Sequence, residues 1–209
     1  MTTYTSQPDE TDGIDTYIGQ FVPTSNYGTE VIIEVGVDNR GAGADCTILI
    51  KFDLSSIPAG SAITSATLSL WTEADYATNG NTYSLYRSLR AWSESQATWN
   101  VYTTGNNWGL AGAYGTATDF DNATGTWSDC VVTNSETVPT EKQWVFSATG
   151  VAELQKMING TYTNNGFVIH GAGLTNNAYS FHSSSSATAG YRPKLVIEYS
   201  GGGWVTIWS

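Results

Sequence analysis

Apolar and polar residues alternate through much of the chain, with a period of two. In Thr47–Phe52 (TILIKF), Ile48, Ile50 and Phe52 fall on one side, and Leu49 and Lys51 on the other. DLSSIPAGSAI follows, and Pro58 and Gly60 reverse the chain there. Ile63–Trp71 then resumes the alternation, with Ala66, Leu68 and Leu70 on one face and Thr67 and Ser69 on the other. Strands are predicted in the same way over Val31–Val37, Thr82–Leu89, Gln143–Ser147, Phe167–His170, Ala178–His182 and Lys194–Tyr199. The Gly-rich stretch DNRGAGAD (38–45) and Asn79–Gly80 supply turns between them. In KLVIEY, Val196 on the face opposite Leu195 and Ile197 points to a strand buried on both sides for part of its length.

One segment has a different period. In VAELQKMING, Val151, Leu154 and Ile158 recur at i, i+3 and i+7, the stripe of an amphipathic helix. Thr149 is a candidate cap at its start, and Asn159–Gly160 ends it. Many short strands with turns between them and one short helix predict an all-β protein: an antiparallel β-sandwich, of the jelly-roll kind, with the helix plugging one end. The expected organisation is a polar N-terminal arm over 1–13, the domain over 14–200 and a Gly hinge with an apolar strand over 201–209.

Composition narrows the partners. The 209 residues carry 8 Lys and Arg against 19 Asp and Glu, a formal charge of −11, and the basic residues are scattered. Such a field disfavours nucleic acid and anionic lipid. No segment approaches transmembrane length, and MTTYTSQPDETDGID lacks the basic start and apolar run of a signal peptide. The two cysteines, Cys46 and Cys130, are too few for a disulfide framework, and one bond between them or two separate thiols both fit. Asn122–Thr124 and Asn159–Thr161 have the form of glycosylation triplets and are read as chance.

Aromatic residues supply the strongest local signal. The region 91–142 is rich in Gly, Asn, Thr and Asp, and with Trp144 just beyond it holds five of the eight tryptophans. So long a stretch of loop suggests a binding surface or a subunit contact, and equally a cap of packed rings on the sandwich. Trp92, Trp99, Tyr102, Trp108, Tyr114 and Trp127 are the candidates for stacking on a glycan. Trp204, Val205, Ile207 and Trp208 in WVTIWS form a candidate docking strand, because that much apolar surface needs a partner.

Polar chemistry is less ordered. Asp12, Asp15, Asp38, Asn39 and Asp45 offer hard oxygen ligands in turns, so calcium is the one candidate cofactor, although no contiguous calcium-loop motif is present. His170 and His182 are read as half-buried strand residues rather than zinc ligands. Glu73 with Asp75, Asp119 with Asp121, and Glu94 are carboxylates whose spacing fixes no glycosidase pair. No enzymatic activity is expected.

Several of these segments carry a family resemblance. DTYIGQFVPTSNYGTE (15–30), LIKFDLSSIPAGSAITSATLSLW (49–71), RAWSESQATWN (90–100), WVFSATGVAELQKMINGTYTNNGFVIHG (144–171) and RPKLVIEY (192–199) together resemble the DNRLRE-domain family of extracellular and virion jelly-roll modules, which includes carbohydrate-binding modules. Two departures stand out: HSSSS follows Phe181 where members often carry an Arg and a Glu, and Ala111–Pro139 is long. The resemblance implies display and binding outside a cell rather than catalysis. The expected role is therefore a structural module on a phage virion surface, as a capsid decoration or a tail or fibre component. It would form a homo-oligomer or dock on other virion proteins through its termini. Carbohydrate binding or adhesion through the loop aromatics is the alternative, and a polysaccharide-acting enzyme a minor one.

Overall fold

The computed structural model describes residues 1–38, 44–75, 81–133, 137–171 and 177–201. Its strands in chain order are β1 (Thr2–Ser6), β2 (Ile14–Gly19), β3 (Ile32–Asp38), β4 (Ala44–Lys51), β5 (Ala62–Asp75), β6 (Asn81–Ser88), β7 (Val101–Thr103), β8 (Asn106–Asn107), β9 (Phe120–Asp121), β10 (Ser128–Val132) and β11 (Glu141–Val145). Helix α1 (Ala148–Ile158) follows, then β12 (Phe167–Gly171), β13 (Tyr179–His182) and β14 (Lys194–Ser200).

Pairing is antiparallel between all of these strands. It runs β1–β14–β5–β13–β3–β4–β12–β6–β10, with β11 added on β5, β2 on β4 and β9 on β6. The long β5 pairs with β14 over Ala62–Ser69 and with β13 over Thr72–Asp75. β5 and β3 thereby carry the hydrogen-bonded path from the β1–β14–β5–β11 layer to the β2–β4–β12–β6–β10 layer. The result is an open β-sandwich, not a closed barrel.

The alternation predicted from sequence sorts side chains between two cores. Ile48, Ile50, Tyr83, Leu85, Phe167 and Ile169 face inward from one layer and meet Leu68, Leu70, Trp144, Phe181, Leu195 and Ile197 from the other. Each such side chain contributes about 1.5–3 kcal/mol when fully buried. The opposite face of the first layer is covered as well: Ile18, Leu49 and Val168 lie under Trp92, Trp99, Trp108, Ala113 and Phe120. β4 and β12 are therefore apolar on both sides, which is why ILI and FVI read as continuous runs.

All eight predicted strands are present, and so is the helix, whose Leu154 and Met157 are buried in the main core. Its cap is Ser147 rather than Thr149: the Ser147 side chain accepts the Gly150 N–H, so the first turn starts two residues earlier than the apolar stripe suggests. Gly150 lies against the Trp127 backbone, where a Cβ would come within 2.3 Å of the Trp127 carbonyl oxygen. The stretch 1–13, expected to be an arm, instead begins with β1, an edge strand of its own sheet, whose Tyr4 is opposite Ile197. Alternating threonines with one half-buried tyrosine are enough to make that strand, and they escaped notice because none is strongly apolar. Cys46 and Cys130 are buried thiols of the main core rather than a disulfide.

Candidate functional site

The Trp-rich region is a second layer on the outer face of the β2–β4–β12–β6 sheet. Gly112 fixes where it crosses β4. The Gly112 carbonyl accepts the Thr47 hydroxyl (3.0 Å) and its N–H donates to the Trp99 carbonyl (2.7 Å). Its φ of 81° and the Trp99 ring 2.4 Å from where a Cβ would sit both demand glycine.

Asp119 organises the loop from within. It is fully buried, and its carboxylate accepts the N–H groups of Gly109 (2.7 Å), Leu110 (3.0 Å) and Gly115 (2.9 Å) and the Arg90 Nε–H (3.2 Å). The indoles are pinned too: Trp92 Nε1 donates to the Asn165 carbonyl (2.8 Å) and Trp108 Nε1 to the Thr98 carbonyl (2.9 Å).

At the sheet surface His170 stacks on Tyr114 at 4.4 Å and meets Phe120 edge-on at 4.8 Å. Burial pushes the imidazole down to about 3, against an opposing contribution from the Ala113 backbone, so it stays neutral. The Tyr114 hydroxyl donates to Asp45. Burial raises the Asp45 carboxyl, and burial together with the Asp45 charge raises the tyrosine.

An open cleft of about 530 Å³ lies on the solvent side of this layer, between the loop after β2 and the β7–β8 hairpin. Its lining is uncharged and includes the carboxamides of Asn26, Gln96, Asn100 and Asn107 with the hydroxyls of Thr24 and Thr104. Thr98 builds its floor, accepting the N–H groups of Asn100 (3.2 Å) and Val101 (3.3 Å) on its hydroxyl. One wall is tied by Asn26, whose Nδ2 donates to the carbonyls of Glu94 (2.6 Å) and Ala97 (2.8 Å).

Four of the six rings read from sequence as a glycan platform, the tryptophans, are packed inside. Trp92, Trp99, Trp108 and Trp127 are all buried, Trp127 in the main core, and Tyr102 and Tyr114 are half-buried. Stacking on a sugar needs a ring face in solvent; Trp92, Trp99 and Trp108 pack in the cluster of Leu49 and Val168, and Trp127 packs against Phe146 and Phe167.

The acidic candidates are dispersed. Asp12 is exposed, Asp15 is buried and Asp45 is held by Tyr114, while Asn39 and the Asp38 side chain lie outside the described residues. Among the described residues no three His, Cys, Asp or Glu side chains come together to hold a metal. Asp15 Oδ2 accepts the Ser184 N–H (2.9 Å), and Glu94 Oε1 accepts the Asp15 N–H (2.9 Å). Burial, opposed by the Ser184 hydrogen bond and aided by Glu94, raises Asp15 to about 6.

Of the carboxylates considered for hydrolysis, Asp121 pairs with Arg87 at 2.5 Å, Asp119 and Glu94 hold backbone amides, and the Asp75 side chain lies outside the described residues. Glu73 is exposed and lines a shallow cleft with His182, whose Nδ1 lies 3.4 Å from the Ser186 hydroxyl. That hydroxyl also lies 3.4 Å from the Thr188 N–H as its acceptor, so the contact is an ordinary loop bond. The docking residues Trp204, Val205, Ile207 and Trp208 lie outside the described residues.

One protein family matches the chain over residues 15–197, the disaggregatase related repeat domain. The chain belongs to that family. No curated protein matches it significantly. The matched span of this disaggregatase related repeat domain runs from the second residue of β2 into β14 and takes in the whole Trp-rich layer and the cleft. Within it, the sequence marks Asp119 only as a carboxylate beside Asp121 and not as the hub of a loop, and it does not single out the cleft amides. The available signal was a single aspartate set among Gly109, Gly112 and Gly115, a spacing that suits a carboxylate collecting backbone N–H groups.

Proposed function

We propose that the domain is a non-catalytic display module, a rigid sandwich that carries a loop-built face on the exterior of a particle or cell. The observation that carries this is the second core. Region 91–121 spends its aromatic side chains and its one buried carboxylate on fixing a surface rather than on assembling reactive groups. Membership of a family described as a repeat domain supports a modular role. On this reading the strands follow the jelly-roll winding of DNRLRE-type modules. The setting is extracellular or the surface of a phage virion, where a net charge of −11 favours solubility. Attachment is through Trp204, Val205, Ile207 and Trp208, either to virion proteins or to further copies of the chain.

The test is deletion of residues 201–209, with light scattering and co-sedimentation with particles as readouts. Loss of self-association or attachment, with the unfolding midpoint unchanged, is expected. A full-length chain that is monomeric and binds no particle, behaving like the truncated one, would refute docking through the tail. Carbohydrate binding by aromatic stacking, the alternative role, would have to use rings other than the four buried tryptophans.

A further inference from the structure

The geometry points to the cleft beside the β7–β8 hairpin as a binding site for a neutral polyhydroxylated ligand, a glycan without carboxylate or sulfate groups, held by side-chain amides rather than by stacked rings. Three observations carry it. The lining contains no ionisable residue, although the chain carries 19 Asp and Glu. A cation would find no counter-charge there, and a polyanion would have to approach an acidic protein with nothing to receive it. A neutral polyol bears no such penalty.

The second observation is unused hydrogen-bonding capacity. Gln96 Oε1 is occupied by the Thr104 N–H (2.9 Å), which fixes the side chain, while its Nε2 makes no hydrogen bond among the described residues. Among the described residues the side chains of Asn100 and Asn107 make no hydrogen bond, yet both line the cleft. Each carboxamide offers two donors and an acceptor, and a sugar hydroxyl both gives and accepts, so the groups match without any change of charge.

The third is pre-organisation. The Asn100 carbonyl accepts the Trp108 N–H (3.2 Å), the Asn100 N–H donates to the Pro23 carbonyl (3.3 Å), and the Trp108 indole holds the Thr98 carbonyl. The amides therefore project from backbone already fixed by the second core, which lowers the ordering cost of binding. The volume of about 530 Å³ suits two or three sugar residues.

The experiment uses the full chain and a panel of neutral oligosaccharides built from glucose, mannose, galactose and N-acetylglucosamine, with polyuronates and sulfated glycans as the charged arm. Binding is read on an array and then by amide chemical-shift changes. The expected result is binding of at least one neutral oligosaccharide, with shifts centred on Gln96, Asn100 and Asn107. The double variant Asn100→Ala/Asn107→Ala should bind at least tenfold more weakly with an unchanged unfolding midpoint. A Gln96→Ala variant, which leaves both asparagines in place, should weaken binding by a smaller factor. No neutral binder in the panel, shifts that map to another face, retained affinity in the double variant, or a preference for the charged arm would each overturn the assignment. None of these outcomes depends on residues 201–209, so the attachment reading stands or falls separately.

Discussion

Replacing Asp119 with alanine should unfasten the second layer while leaving the sandwich folded. The carboxylate is fully buried and accepts three backbone N–H groups, from Gly109, Leu110 and Gly115, and the Arg90 Nε–H. A buried donor left without a partner costs about 1–3 kcal/mol. Gly109 and Leu110 are exposed residues where water can enter, so the lower end of that range applies to both; Gly115 is half-buried. Arg90 is 32% exposed and its pairing adds little. The total is about 3–4 kcal/mol, a large share of the roughly 5–15 kcal/mol that holds a domain together. Asp119→Asn keeps one acceptor oxygen but turns an amino group toward amides that also donate, so about half the loss is expected. Urea unfolding followed by tryptophan fluorescence gives the energy, and amide hydrogen exchange gives its location. Protection should fall at Gly109, Leu110 and Gly115 well before it falls in β4 and β12. An alanine variant within about 1 kcal/mol of the parent, with those three amides protected as before, would refute the hub role.

Gly112→Ala should cost about 1–3 kcal/mol from its left-handed backbone alone, with a changed tryptophan emission because the new Cβ displaces the Trp99 ring; an unchanged urea midpoint would count against the close approach. Asp15, held at about 6 in the native state, binds its proton more tightly folded than unfolded, so stability is greatest below about pH 4, falls as the pH rises through about 6 and is flat above. Asp15→Asn should abolish that fall and gain up to about 3 kcal/mol at pH 7, read from urea midpoints across pH 4–8. His170 acts in the opposite sense: held near 3 against about 6.5 when unfolded, it contributes stability above pH 6.5 that is lost as the pH drops. His170→Leu should remove that acid loss, and between pH 4 and 6 the two variants should change the parent's slope in opposite senses, Asp15→Asn toward a rise with pH and His170→Leu toward a fall. Two variants with the same slope as the parent would show that neither group titrates as described.

The sandwich was legible because period-two alternation records which face of a strand is buried, and Ile48, Ile50, Leu68, Leu70, Leu195 and Ile197 all take the main core as that pattern requires. The second layer was legible only in part. Leu49 and Val168 break the alternation by being apolar on the supposedly polar side, which is the mark of burial on both faces. The pattern could not say what covers them, because the covering segment has no period: its positions are set by single contacts such as Gly112 against Trp99 and Asp119 against three amides. β1 was hidden for a related reason. Thr2–Ser6 is an edge strand with little buried surface, so its hydrophobic signal is weak and its backbone pairing with β14 does the work. The aromatic residues were correctly singled out as unusual, but richness in tryptophan does not distinguish a platform from a wall. Only the direction of each ring does, and Trp92 and Trp108 turn their N–H groups onto backbone carbonyls.

The two-sided sheet also separates the groups that hold the fold from those that meet solvent. Ile18, Leu49 and Val168 anchor the outer layer, and Asp119 and the indoles lock its backbone. The side chains of Asn100, Asn107 and Thr104 project from that backbone into the cleft and contribute nothing to either core. Substitution there is cheap for folding, because no buried area and no buried hydrogen bond changes. A scaffold arranged in this way can keep its strands and alter its ligand by changing a few hairpin residues, the condition under which one fold serves several recognition tasks. The cleft lining should therefore be the part of this domain most open to redesign. Exchanging Asn100 and Asn107 for lysine, for example, should leave the unfolding midpoint within about 0.5 kcal/mol of the parent while turning the cleft toward anionic glycans. A large loss of stability in that variant would mean that the amides support the layer after all.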